Sequence, residues 1–140
     1  MKITAKQINE IAQQLEAGMR VFFDQDTLKF KTVLDWDEIM DHEPWEEMIE
    51  TIENEWPDAI ILEKMESQEA FRVMKDFIDE IEDSKFQEDL IKILSRRSPF
   101  ANFKAEVETS EHRELWFSFR TKKYEDYVRG QLSSEGINCE

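Results

Sequence analysis

The stretch Met19-Arg20-Val21-Phe22-Phe23-Asp24-Gln25-Asp26-Thr27-Leu28-Lys29-Phe30-Lys31-Thr32-Val33 decides the fold. Met19, Val21 and Phe23 alternate with Arg20, Phe22 and Asp24. A period of two belongs to a strand, whose successive side chains point to opposite faces. Asp24-Gln25-Asp26-Thr27 is a polar break, after which Leu28, Phe30 and Thr32 alternate with Lys29, Lys31 and Val33. The pattern predicts a β-hairpin over about residues 19–34, although no Asn-Gly or Asp-Gly specifies its turn type. Phe22 falls on the face opposite Val21 and Phe23, so a further element is expected to cover that side.

Upstream, Thr4 and Gln7 make a capping-box pattern, and Ile8, Ile11, Ala12 and Leu15 recur at helical spacing. Gly18 suits the left-handed position that closes such a helix. Downstream, residues 35–58 hold 11 acidic side chains in 24 positions and no Lys or Arg. Composition alone suggests a solvated tail, but Trp45, Met48, Ile49, Ile52 and Trp56 form an apolar stripe at i, i+3, i+4, i+7 and i+11. Pro44 fits the first turn, Glu46 and Glu47 suit the positive end of the macrodipole, and Pro57 stops the helix. The segment over 41–58 therefore reads as an ordered amphipathic helix with an acidic outer face.

Ala59 to Glu63 reads as a third strand, buried on both faces or nearly so. Ser67 is a candidate cap for a helix carrying Phe71, Met74, Phe77, Ile78 and Ile81. Ser84 with Gln87 opens another carrying Phe86, Leu90, Ile93 and Leu94, and Ser98-Pro99 starts a short one with Phe100, Phe103 and Val107. A last helical region runs from about Glu111 to Ser133, with a break expected near Thr121, where Arg120 to Lys123 interrupts the apolar stripe. The fold class is α+β: a small, mostly antiparallel sheet, the hairpin plus one further strand, packed with about five to seven helices. One acidic domain is expected over residues 1–136, with 137–140 as a flexible tail.

The chain has 140 residues, 18 Lys and Arg against 33 Asp and Glu, and a formal net charge of −15. Apolar residues are 40% and include 10 Phe, 4 Trp and 2 Tyr, enough for a core, so acidity does not mean disorder. The charge disfavours DNA and anionic lipid as partners, because both need clustered cations. The start lacks an apolar signal region and the apolar runs are far shorter than the roughly 20 residues of a membrane span. A cytoplasmic protein with no membrane association is expected. Cys139 has no partner for a disulfide, since it is the 1 Cys of the chain.

Signatures of chemistry are scarce. Glu38, His42 and Glu46 have i, i+4, i+8 spacing, yet Pro44 interrupts the register that would align three metal ligands. Asp35-Trp36-Asp37 lacks the glycine turn of a calcium loop. There is no His-Glu-x-x-His, Cys-x-x-Cys, Gly-x-Ser-x-Gly or glycine-rich phosphate loop. Glu111-His112-Arg113-Glu114 reads most economically as the hydrated first turn of a helix. No catalytic residue, metal ligand or cofactor is therefore singled out. Residues 92–129 reverse the balance, with nine basic and six acidic side chains. Arg96, Arg97, Lys122 and Lys123 there are the candidates for a surface binding RNA or single-stranded DNA. The interleaved Phe100, Phe103, Trp116 and Phe119 keep helical core spacing, which favours an ordinary mixed-charge surface.

Val21-Phe22-Phe23-Asp24, Glu69-Ala70-Phe71 with Phe77-Ile78, Pro99-Phe100-Ala101-Asn102-Phe103-Lys104 and Trp116-Phe117-Ser118-Phe119 occur in an order that resembles a bacterial group, uncharacterised protein family 158. The resemblance spans roughly Ile8 to Val128 and implies a bacterial intracellular protein without an assigned activity. Asp26-Thr27-Leu28 stands where a glycine-containing turn is expected in such proteins.

Three functional readings follow. The first is a non-enzymatic interaction or regulatory protein that meets a basic protein partner through Glu46, Glu47, Glu50, Glu53 and Glu55, with nucleic-acid mimicry as its sharper form. The second is binding of RNA or single-stranded DNA through the 92–129 region. The third is a carboxylate-based enzyme, with or without Mg²⁺, for which no nucleophile or base is placed. Sixteen aromatics also leave room for an apolar patch that pairs subunits.

Overall fold

The computed structural model describes residues 2–34 and 43–140. Among them are six helices and one three-stranded antiparallel sheet, an α+β fold. The elements are α1 (Ala5–Glu16), β1 (Met19–Phe23), β2 (Phe30–Leu34), α2 (Glu43–Glu55), β3 (Ile60–Leu62), α3 (Ser67–Asp79), α4 (Ser84–Leu94), α5 (Pro99–Glu108) and α6 (Arg113–Ser134). The chain forms two compact units, residues 1–64 with 124–140 and residues 65–123. The first half of α6 thus belongs to one unit and its second half to the other.

In the first unit the sheet order is β2-β1-β3, so the first hairpin strand is central. Phe22 pairs with Lys31 on one side and Ile61 on the other. Alternation along β1 then creates two cores. Val21 and Phe23 pack with Ile8, Ile11, Ala12 and Leu15 of α1 and with Val128 and Leu132 of α6. Phe22 and Val33 face the other way and are covered by Ile52, Trp45, Ile49 and Trp56 of α2 and its C-terminal flank. The covering element demanded by Phe22 is the acidic helix itself.

Local chemistry accounts for the boundaries. Thr4 and Gln7 form the expected capping box, with Gln7 N–H donating to Thr4 Oγ1 at 3.1 Å and Thr4 N–H to Gln7 Oε1 at 2.9 Å. Gly18 takes φ 87° after α1, the left-handed conformation anticipated for it. At the hairpin turn the left-handed residue is Leu28, at φ 59°. That conformation costs an L-residue about 1–2 kcal/mol. Burying a leucine gains roughly 1.5–3 kcal/mol, and Leu28 is 7% exposed within the α1 core, so packing wins. Asp24 shapes the same turn: its carboxylate accepts from the Thr27 hydroxyl and from the main-chain N–H groups of Asp26 and Thr27.

Three expectations for this unit need correction. Ile61 of β3 is 51% exposed, because this third strand is an edge strand and α2 covers Phe22 and Val33 instead. Met48 is 40% exposed, on the shoulder of α2 rather than in its buried stripe. Residues 137–140, read as a tail, meet the N-terminal segment: Ile3 N–H donates to the Asn138 carbonyl and Glu140 N–H to that of Ile3, each at 3.0 Å.

The second unit is helical. Its core gathers on Phe77, whose ring lies 5.1 Å from Trp116, 5.4 Å from Phe119 and 6.3 Å from Phe103. Val73, Met74, Ile78, Leu90 and Val107 are buried with it. Two caps sit one residue earlier than expected. Glu66, not Ser67, precedes α3, without a side-chain cap. Asp83, not Ser84, caps α4, its Oδ1 accepting from Lys85 N–H at 3.1 Å and Phe86 N–H at 3.2 Å. Gln87 donates instead to the Ile78 carbonyl at 2.9 Å. Ser98 does precede Pro99, but at φ 51° its hydroxyl makes no cap hydrogen bond.

The expected break near Thr121 is absent, and α6 begins at Arg113 rather than Glu111. Arg120 lies over the rings of Trp116 and Phe117 at 5.9 and 5.6 Å, and Lys123 over Phe119 at 5.4 Å. These charged side chains interrupt the hydrophobic pattern without interrupting the packing, because their cationic heads lie over aromatic faces.

Candidate functional site

The surface that sequence singled out is the outer side of α2. Burial of Ile52, with Trp45, Ile49 and Trp56 half-buried beside it, turns Glu46, Glu47, Glu50, Glu53 and Glu55 to solvent. Glu55 is neutralised within the unit: Lys31 Nζ lies 2.7 Å from its Oε2 and 4.7 Å from the centroid of Trp56. Among the described residues Glu46, Glu47, Glu50 and Glu53 have no cationic partner. Four carboxylates in eight positions of one helix are a compact source of negative potential. The spacing of Glu38 and His42 with Glu46 lies outside the described residues, as do Asp35 to Asp37.

The basic candidates do not gather in the same way. Arg96 and Arg97 are exposed in the turn between α4 and α5, whereas Lys122 and Lys123 lie on α6. Lys123 faces Asp76 at 3.8 Å, so part of its charge is already met. Phe103 and Trp116 are 1% and 4% exposed and cannot stack on bases. Phe100, at 42%, is the exception, in edge contact with Phe71 at 6.3 Å.

A cavity of about 650 Å³ lies between α3 and α4, lined by Phe71, Arg72, Lys75, Ile91 and Leu94 among others. Its polar groups are Arg72, Lys75, Asp76, Asp79 and Ser95, without histidine or cysteine. Cys139 packs half-buried against the α1 core.

The structure also brings together Asp83, which the sequence did not single out, with Glu111 and His112 of the segment read as a hydrated turn. Twenty-eight positions separate the first two, and no spacing rule connects them.

The architecture defines an α+β protein with a layered sheet unit and a helical unit. No helix among the described residues is long and apolar enough to cross a membrane. The model of the Uncharacterised protein family (UPF0158) matches residues 3–139, so the chain belongs to that family. No curated protein and no solved structure matches the chain.

Proposed function

We propose that this is a non-enzymatic, cytoplasmic interaction or regulatory protein of bacterial type, which engages a basic protein surface through the outer side of α2. The observation that carries this reading is the helix's division of labour. Its apolar side is committed to Phe22 and Val33, while Glu46, Glu47, Glu50 and Glu53 face solvent. A helix anchored in this way presents its charges at fixed spacing, at a lower entropic cost on binding than a disordered acidic tail. In its sharper form the row of carboxylates imitates nucleic-acid phosphates and occupies a nucleic-acid-binding protein.

The test compares capture of proteins from a bacterial lysate by the wild-type chain and by a variant carrying Glu46→Gln, Glu47→Gln, Glu50→Gln and Glu53→Gln. The expected outcome is loss of basic partners from the variant and their release from the wild type as salt rises from 0.05 to about 0.5 M. Glu55→Gln alone should change little, because Lys31 already meets that charge. The same partners retained by both proteins at all salt concentrations would overturn the reading.

A further inference from the structure

We propose that Asp83, Glu111 and His112 form a binding site for a divalent transition-metal ion of the zinc class. One donor atom from each lies within 4.8 Å of the others. Among the described residues no other group of three His, Cys, Asp or Glu side chains converges in this way. All three belong to the helical unit, Asp83 at the start of α4 and the other two just before α6.

A second observation concerns the histidine. His112 Nε2 is sealed from solvent and has no hydrogen-bond partner. The Glu111 carboxylate is 3.8 Å away, beyond hydrogen-bonding range. The ring is held in place by stacking on Phe86, with centroids 4.7 Å apart and planes at 19°. Its main-chain N–H donates to Ser110 Oγ at 3.1 Å, which ties down the segment that carries it. A sealed imidazole nitrogen without a hydrogen-bond partner, beside the Glu111 carboxylate and on a ring that converges with Asp83, is an incomplete coordination shell.

The donor chemistry selects the ion. Imidazole nitrogen is a good ligand for zinc, cobalt and nickel, whereas magnesium and calcium are held by oxygen. Zinc sits about 2.0–2.2 Å from nitrogen and oxygen ligands, so tetrahedral donors lie roughly 3.3–3.5 Å apart. Closing from separations of up to 4.8 Å requires side-chain rotations, and both carboxylate side chains are exposed and able to make them. Asp83 uses Oδ1 for both cap hydrogen bonds, so its other oxygen can turn to the ion. The three donors leave a fourth position for water.

Charge also favours a cation. The N-termini of α4 and α6 each contribute about half a positive charge, less than the two full charges of Asp83 and Glu111. The neighbouring cations are engaged elsewhere. Lys85 pairs with Asp89 at 2.9 Å, and Arg113 lies 5.2 Å from the ring of Phe117. A bound ion would link the start of α4 to the start of α6.

Titration of the intact protein with Zn²⁺ by calorimetry, and with Co²⁺ by visible absorption, tests the site. One ion per chain is expected, together with a rise in Tm on adding Zn²⁺. His112→Gln and Asp83→Asn should each weaken Zn²⁺ binding at least tenfold. Asparagine keeps the cap, so the second variant tests the site even if the first fails to fold. His42→Gln, Cys139→Ser and the four-glutamine α2 variant should bind as the wild type does. Absence of saturable binding, binding unchanged in Asp83→Asn, or binding lost in His42→Gln, Cys139→Ser or the α2 variant would overturn the assignment.

Discussion

Residues 1–64 and 124–140 carry 20 acidic and 7 basic side chains, whereas residues 65–123 carry 13 and 11. Nearly all of the net charge of −15 therefore belongs to the sheet unit. The two units differ in how they hold their helices. In the sheet unit α2 lies on a strand surface and needs only one apolar side, so its other side can carry a single sign of charge. In the helical unit rings from α5 and α6 gather around Phe77 of α3, and cations lie over aromatic rings. One-sided packing leaves a surface available to a partner.

The largest expected effect contrasts the two cores. Phe77→Ala should destabilise the protein by about 3–5 kcal/mol, because its ring is fully buried among three others. Phe22→Ala should cost about 3 kcal/mol, since the half-buried Trp45 and Trp56 can partly close the gap. Hydrogen exchange checks the comparison: Phe22→Ala should release α2 amides first, and Phe77→Ala those of α3 and α5. Equal loss of protection throughout both variants would mean that the two cores are not distinct.

A smaller effect separates two helix starts. Thr4→Ala should cost about 1 kcal/mol in urea denaturation, as it removes a formed capping box. Ser98→Ala should cost almost nothing, because that hydroxyl caps no N–H.

The smallest concerns pH. The Thr27 hydroxyl, and then the N–H groups of Asp26 and Thr27, hold the Asp24 carboxyl below its ordinary value against the opposing effect of burial. A depressed folded pKa contributes stability that is present above the unfolded value and lost as pH falls through the folded one. Thr27→Val should flatten that acid-side loss of stability below about pH 4, as measured by Tm against pH. An unchanged profile would show that the main-chain donors suffice.

Much of the fold was legible because it is written in local periodicity. The alternation of Met19 to Phe23, the capping box at Thr4 and the stripe from Trp45 to Trp56 each need only neighbouring residues. Reading failed where neighbours compete. Asp83 and Ser84 are both competent caps, and the cap is the one with extended backbone, Asp83. It failed again where charge masks packing, at Arg120 and Lys123, whose cationic groups lie over aromatic rings of α6. Of the site, the acidic row could be read directly. The meeting of Asp83 with Glu111 and His112 could not, since it depends on how α4, α5 and the start of α6 fold back.

By itself, then, the amino-acid order determined the α+β class, the hairpin, the helix faces and the segment that holds the acids, because these follow from periods of 2 and 3.6 residues. Only the tertiary structure decided that β1 is the central strand, that α2 is the element covering Phe22, that Met48 and Ile61 stay exposed and that His112 and its neighbour Glu111 meet the distant carboxylate of Asp83. Those outcomes depend on which surfaces exclude water from one another, a property of pairs of elements that no single stretch of chain contains.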